Sequence, residues 1–400
     1  MLIKSRSTTR RKQYSITCVL FVCIASFSAG VLLSEQLQVT RQSAASSFAL
    51  LLPETQLPAV RSPTASTALA PLLEKDGGFC LVTACPSGKN AVRVAWTQAP
   101  DSPDSVESNK LNQWAKVVVS DTNTFQMLTR DKKADSFISG TIQSGKQFDA
   151  SVRNLIIKQL FNKTAPVFID IGANIGYMSG TALALGATVI SFEPFWVNAG
   201  IFMSTVRKNG WKNRSHLYMN AVSYESVRVS MKSTNEQINL SNMHIAASQC
   251  TDPLENKNSF GTYGLDYMEA VSLDQVMLTQ HPDVAEVSII KIDVEKHEMH
   301  VINGAMRFLC NRVVDMIVME VEYLKPGYNP EGTPCDFAIM RDRMVQMGFS
   351  LWDCSLEREY TDKQLSSFPT DVVFVQKYQG QPPARRLKGT KNNPCESFEL

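Results

Sequence analysis

One short segment constrains the fold more than any other. Val167-Phe-Ile-Asp-Ile171 is an almost continuously apolar run that ends at Gly172. Such a run reads as a strand buried on both faces, the mark of a parallel sheet. The pattern then repeats. Residues 175–185 read as a helix stopped by Gly186, and 188–192 as a second strand ending in Glu193-Pro194. A helix follows over 197–209, then a third strand over 216–222. Strands four and five are expected at 287–292, ending at Asp293, and at 315–321, ending near Glu320 and Glu322. Helices are expected at 299–309 and 337–347, and a closing strand pair at 350–353 and 371–376. Upstream, 117–120 and 125–129 read as a hairpin, and 148–161 has helical spacing at Val152, Leu155, Ile156 and Leu160. The expected fold is α/β, a doubly wound and mostly parallel Rossmann-like sheet. Residues 225–270 read as a polar, irregular insertion, and 379–400 as a polar tail.

The other end of the chain is different. Residues 16–33 carry no charge, and with Tyr14 and Ser15 the apolar span reaches twenty residues. That is about the length of a helix crossing a bilayer core. Lys4, Arg6, Arg10, Arg11 and Lys12 precede it with no acid among them. Basic flanks stay cytoplasmic, so the expectation is a cytoplasmic tail (1–13), a single-pass type II anchor (14–33) and a lumenal body. A cleaved signal peptide is the alternative, with Ala25 to Gly30 as its cleavage region. Residues 34–78, rich in Ser, Ala and Pro, read as a stem, with the globular domain at 79–378. This layout is shared with many Golgi-resident enzymes. The sequons at Asn162, Asn213 and Asn239 become glycosylation sites in this topology. Of nine cysteines, Cys18 and Cys23 lie in the span; several of the remaining seven should pair in disulfides, and at least one is free or intermolecular.

The charge balance gives no case for nucleic acid. Lys+Arg is 40 against Asp+Glu 38, a net +2. Hydrophobic residues at 44% support a sizeable core.

Chemistry is expected at the carboxyl ends of the strands, where open α/β sheets bind ligands. The first turn reads Asp170-Ile-Gly172-Ala-Asn174-Ile-Gly176. Gly172 permits a tight turn, Asn174 tolerates a left-handed backbone, and Gly176 allows close helix packing. Glu193 follows Asp170 by 23 residues (193 − 170), placed for ribose hydroxyls. Asn220-Ala221 ends strand three, where an adenine would lie. The turn lacks the glycine triplet of a pyrophosphate site, so a phosphate-free nucleoside such as S-adenosylmethionine fits better than a dinucleotide. His297 and His300 with Glu298 lack zinc-ligand spacing, and no metal is expected.

Five blocks carry a resemblance. FIDIGANIGYMSG (168–180), SFEP (191–194), NAVS (220–223), SLDQVM (272–277) and IIKIDVEKHEMHVINGA (289–305) resemble the signature blocks of FkbM-type S-adenosylmethionine-dependent methyltransferases. The resemblance runs from about residue 117 to 377. Lys296 stands where that family's last block has Gly. The resemblance implies O-methylation, often of a sugar or polyketide hydroxyl. On that reading Asp293 positions the reactants, and His297 or Glu298 is the base. Asp170, Gly172, Asn174, Gly176, Glu193, Asn220 and Ala221 form the cofactor site. Two other functions compete. A type II glycosyltransferase would commonly need an Asp-x-Asp, which the chain lacks. A catalytically inactive methyltransferase fold would bind the cofactor without turnover.

Overall fold

The structure is a computed structural model, and it describes residues 111–226, 228–233, 243–246, 268–321, 337–361, 369–378, 380–391 and 393–398. The expected anchor and stem, Asn239, Cys80, Cys85, Cys250 and Cys335 lie outside them. Among the described residues no helix is long and apolar enough to cross a membrane.

A hairpin of β1 (Gln113–Val118) and β2 (Thr124–Thr129) leads in. After it come α1 (Ile138–Gln143), α2 (Ala150–Leu160), β3 (Val167–Ile171), α3 (Tyr177–Ala184), β4 (Thr188–Phe192), α4 (Trp196–Lys208) and β5 (Ser215–Tyr218). Next are β6 (Ala221–Val222), β7 (Arg228–Ser233), β8 (Met243–Ala246), β9 (Met268–Val271), α5 (Leu273–Gln280), β10 (Glu286–Val287) and β11 (Ile289–Ile292). The chain continues through α6 (Glu298–Asn303), α7 (Met306–Asn311), β12 (Val313–Val314), β13 (Met316–Glu320), α8 (Phe337–Gln346), β14 (Phe349–Trp352), β15 (Asp371–Gln376) and α9 (Pro383–Leu387).

Seven strands form the main sheet in the order β14-β15-β13-β11-β3-β4-β5. Strands β5, β4, β3, β11 and β13 are parallel; β15 runs antiparallel between β13 and β14. Alternate residues of each strand feed two cores. Ile169, Ile190, Ile290 and Ile317 pack on one face. Phe168, Val189, Ile289 and Val318 pack on the other. This double burial is why these strands read as apolar runs. The strand order reverses between β3 and β11, and the site lies there.

The structure departs from the sequence reading in five places. The third strand is split: β5 belongs to the main sheet, whereas β6 pairs with β9 in a four-stranded sheet ordered β6-β9-β7-β8. The polar 225–270 segment therefore contributes three strands. The fourth strand divides at Ser288, whose N–H donates to Val167 O, and β10 pairs with β12. Helix 299–309 breaks into α6 and α7 at Gly304. There a Cβ would sit 2.0 Å from the Ser223 carbonyl oxygen, and the Gly304 carbonyl accepts from Asp274 N–H. Asp274 in turn caps α7, accepting from Arg307 and Phe308 N–H at 3.1 and 2.6 Å. Helix α1 was not legible. Finally, the polar tail is anchored: Cys395 forms a disulfide with Cys310 of α7, and Ala384 is buried in the core.

The close approach at Gly304 generates a test. Gly304→Ala drives a methyl into backbone that has no rotamer to yield, so it should cost about 1–3 kcal/mol. Urea denaturation of the purified chain should show the midpoint fall. An unchanged midpoint would mean that the 223–224 backbone moves freely.

Candidate active site

A cavity of about 480 Å³ opens over the carboxyl ends of β3, β4, β11 and β13, within the usual range of about 300–1,000 Å³ for ligand pockets. Its floor is the turn 171–175, and its walls include Glu193, Pro194, Asn198, Asn220–Val222, Asp293–Glu295, Glu320 and Asp371. Phe137 and Thr141 of the α1 region, with Phe148 and Asp149 before α2, close the far side.

The floor is built from tight backbone contacts. Gly172 has φ +82, and a Cβ there would meet the Asp293 carbonyl oxygen at 1.8 Å. Only glycine lets the β3 turn touch the end of β11. Asn174 adopts φ +51, as its side chain tolerates. Every backbone N–H of the turn has an internal acceptor. Gly172 and Ala173 donate to Phe192 O, and Gly176 donates to Ala173 O. Asn174 donates to Glu193 Oε2, and Ile175 donates to Asn174 Oδ1.

Glu193, the acid after β4, is buried but lines the cavity. Oε1 accepts from Phe195 N–H at 2.9 Å and Asn198 Nδ2 at 3.3 Å; Oε2 accepts from Asn174 N–H at 2.8 Å. A carboxylate has about four acceptor positions, so one remains for a ligand. Burial raises its pKa, and the three donors oppose that rise. Asn198 is itself held by a hydrogen bond from Arg130, which follows β2. Nothing in the strand pattern singled out Arg130 or Asn198. Both are polar residues beside apolar elements, and they are 68 residues apart in sequence.

Behind the floor lies a buried ion network. Lys291 and Asp170 are register partners on adjacent strands. The Lys291 ammonium lies 3.7 Å from Asp170 Oδ1 and 3.0 Å from Asp293 Oδ2, and donates to Gly172 O at 3.4 Å. Burial works to depress its pKa, but Asp293 and Asp170 outweigh it and the ammonium is held above its usual value. Burial raises the Asp170 pKa, with Lys291 opposing. Ser179 Oγ donates to Asp170 at 2.6 Å.

The expected site residues divide on these contacts. Gly172, Asn174, Glu193, Asn220, Ala221 and Asp293 line the cavity. Asp170 does not; it is wholly buried beneath the floor and supports Lys291 and Ser179. Gly176 does not either. It starts α3 with φ +86, and a Cβ there would strike the Phe202 ring at 2.1 Å, so it serves helix packing against α4.

The expected base residues face elsewhere. His297 lies outside the cavity lining, 2.9 Å from Ser223 Oγ through Nε2, with its ring stacked on His300 at 4.2 Å. Burial, with His300 adding to it, lowers the His297 pKa well below its usual value, so the ring is neutral but cannot reach the cavity. Glu298 folds back onto its own turn, accepting from Val294 and Lys296 N–H at 3.2 Å each. Burial pushes its pKa up to about 7. Four cavity carboxylates were not expected in the site: Asp149, Glu295, Glu320 and Asp371. Glu320 ends β13 and Asp371 begins the antiparallel β15, and that position at the sheet's ligand edge is the signal that could have found them.

Residues 170–351 match the family described as methyltransferase FkbM domain. Among solved structures, the chain is similar to methyltransferase FkbM from Methylobacillus flagellatus KT at 12% identity, covering 57% of this chain and 55% of that one, with a TM-score of 0.33. It is also similar to a SAM-dependent methyltransferase from Agrobacterium tumefaciens, at 8% identity, 52% of each chain and a TM-score of 0.28. WbdD matches at 12% identity over 58% of this chain and 40% of its own, with a TM-score of 0.30. The chain spans about half or less of the length of these three structures. No curated protein matches it.

Lys296 stands where the resemblance leads one to expect glycine, and the backbone shows what glycine would do there. Lys296 sits at φ +82 after Glu295 at φ +53. A left-handed L-residue costs about 1–2 kcal/mol, while glycine costs roughly 0.5–1 kcal/mol in unfolded-chain entropy. Lys296→Gly should therefore stabilise the chain by up to about 1 kcal/mol, read as a higher urea midpoint. A lower midpoint would show that the lysine side chain outweighs the backbone strain.

Proposed function

We propose that the protein is an S-adenosylmethionine-dependent O-methyltransferase. The observation that carries this reading is the turn 172–176, whose backbone N–H groups all have internal acceptors. A dinucleotide pyrophosphate needs such donors free. The cavity offers carboxylates instead: Asp149, Asp293, Glu295, Glu320 and Asp371. That lining favours a cation and repels phosphate. S-adenosylmethionine is a nucleoside carrying a sulfonium, and when bound it would supply an electrophilic methyl group. In this assignment Glu193 uses its remaining acceptor position on the ribose hydroxyls, and Asn220 and Ala221 flank the adenine. Asp293, fixed by Lys291, lies at the sulfonium end. Holding the acceptor oxygen in line with the methyl is the main task of the remaining walls.

We place the acceptor among hydroxyl-bearing glycans or related small molecules, and the protein in the secretory pathway as a type II membrane protein of the Golgi. The apolar span with its basic flank supports that topology. So do the Cys310–Cys395 disulfide, which suits an oxidising lumen, and the exposed sequon residues Asn162 and Asn213.

Titration calorimetry on the full chain should detect S-adenosylmethionine but not NAD. Glu193→Ala should weaken that binding by about 1.5–3 kcal/mol, the range for a hydrogen bond to a charged group. Binding of NAD alone would overturn the cofactor assignment.

The topology has its own test. Endoglycosidase treatment of the protein expressed in animal cells should increase its gel mobility, and replacing Asn162 and Asn213 by Gln should reduce the shift. No shift, with the body open to protease in sealed microsomes, would reverse the orientation.

A further inference from the structure

With His297 and Glu298 turned away, the site has no assigned proton acceptor. Asp293 is a weak candidate because its carboxylate already accepts from the Lys291 ammonium, 3.0 Å away. Glu320 differs. It ends β13, the strand beside β11, and lines the cavity. Among the described residues its carboxylate meets no cation and no hydrogen-bond donor. Among the described residues the charged groups that act on it are acidic: Asp293, Glu295 and, from further back, Glu298 of the turn after β11, and Asp371 opposite it on β15. The nearby Lys291 ammonium is turned toward Asp170 and Asp293.

Burial first, then those four carboxylates, push the Glu320 pKa up to about 9. A carboxyl group in that position is neutral at pH 7. A cation entering among the same carboxylates would favour its ionised form.

Resting on the methyltransferase reading above, we propose that Glu320 takes the acceptor's proton, and that a sulfonium ligand prepares it by driving off the proton it already holds. The cycle balances. On sulfonium binding, Glu320 releases one proton to solvent and becomes a carboxylate. In the transfer, the acceptor's oxygen–hydrogen bond breaks and Glu320 receives the proton. An oxygen–methyl bond forms, and the methyl–sulfur bond breaks with its electron pair left on sulfur. The product S-adenosylhomocysteine is uncharged at sulfur, so the re-protonated Glu320 suits it. Charge on the ligand and charge on Glu320 thus alternate.

Proton linkage tests this without knowledge of the acceptor. Full-length protein is titrated with S-adenosylmethionine and with S-adenosylhomocysteine in two buffers of different ionisation enthalpy at pH 7.5. The sulfonium ligand should release about one proton more than the thioether, and Glu320→Gln should abolish that excess while still binding both. A second measurement needs only the wild type. The ratio of the two affinities should rise by up to about tenfold per pH unit and level off near pH 9, where Glu320 is already ionised. Sulfonium binding without excess proton release, with a pH-independent ratio, overturns the role of Glu320 and leaves the cofactor assignment standing. The same excess in folded Glu320→Gln does likewise. No binding of either ligand by the wild type overturns both.

Discussion

The site depends on one buried lysine. Lys291 lies in the middle of the sheet, register-paired with the fully buried Asp170, and its ammonium also meets Asp293 and the Gly172 carbonyl. A buried cation must be paired, and removing one partner typically costs several kcal/mol. Here the pairing spans the two strands between which the chain order reverses. It joins the β3 turn to the end of β11 at the point where both turn away from the sheet and a cavity opens. Asp293 is thereby fixed at the rim, and the rim is acidic because the Lys291 ammonium is already used by the network beneath it.

The glycine turn completes the same junction. Gly172 lets the two backbones touch, and the internal hydrogen bonds of residues 172–176 consume the donors that a phosphate would seek. Glu193 is built in the same manner, with three donors ordering its carboxylate and Arg130 reaching from β2 to hold one of them. Preorganisation of this kind lowers the cost of binding a nucleoside, since few polar groups must rearrange. The strained left-handed pair Glu295–Lys296 belongs to the same rim, and Glu298 holds its turn closed through two backbone N–H groups.

The parallel strands were legible because each is buried on both faces, so that a short apolar run has few alternatives. Strands β3 and β4 fall where the residue pattern places them. Asn174 in a left-handed turn, Gly172 at a close approach and Glu193 beside the cavity follow from residue type and position relative to a strand end. The breaks were less legible. Gly304 interrupts a helix because Ser223, 81 residues earlier (304 − 223), occupies the space a side chain would need. The strand β5 parts from β6 because Ala221 and Val222 pair with a strand nearly fifty residues on. Such partners leave no local trace.

Local chemistry by itself determined the alternation of strand and helix, the glycine turn after β3 and the acid that follows β4, because backbone conformation and strand burial are decided within a few residues. Which side chains face the cavity was decided only by the tertiary structure. His297 and Glu298 lie in the block that carries the family resemblance, one turn from Asp293, yet His297 turns to Ser223 and Glu298 to the N–H groups of its own turn, and neither lines the cavity. Glu320 and Asp371 are 51 residues apart (371 − 320) and become neighbours because their strands pair antiparallel. A sequence can state that a residue ends a strand. The direction of its side chain, and the charges it meets there, depend on strand order and on the helices packed behind.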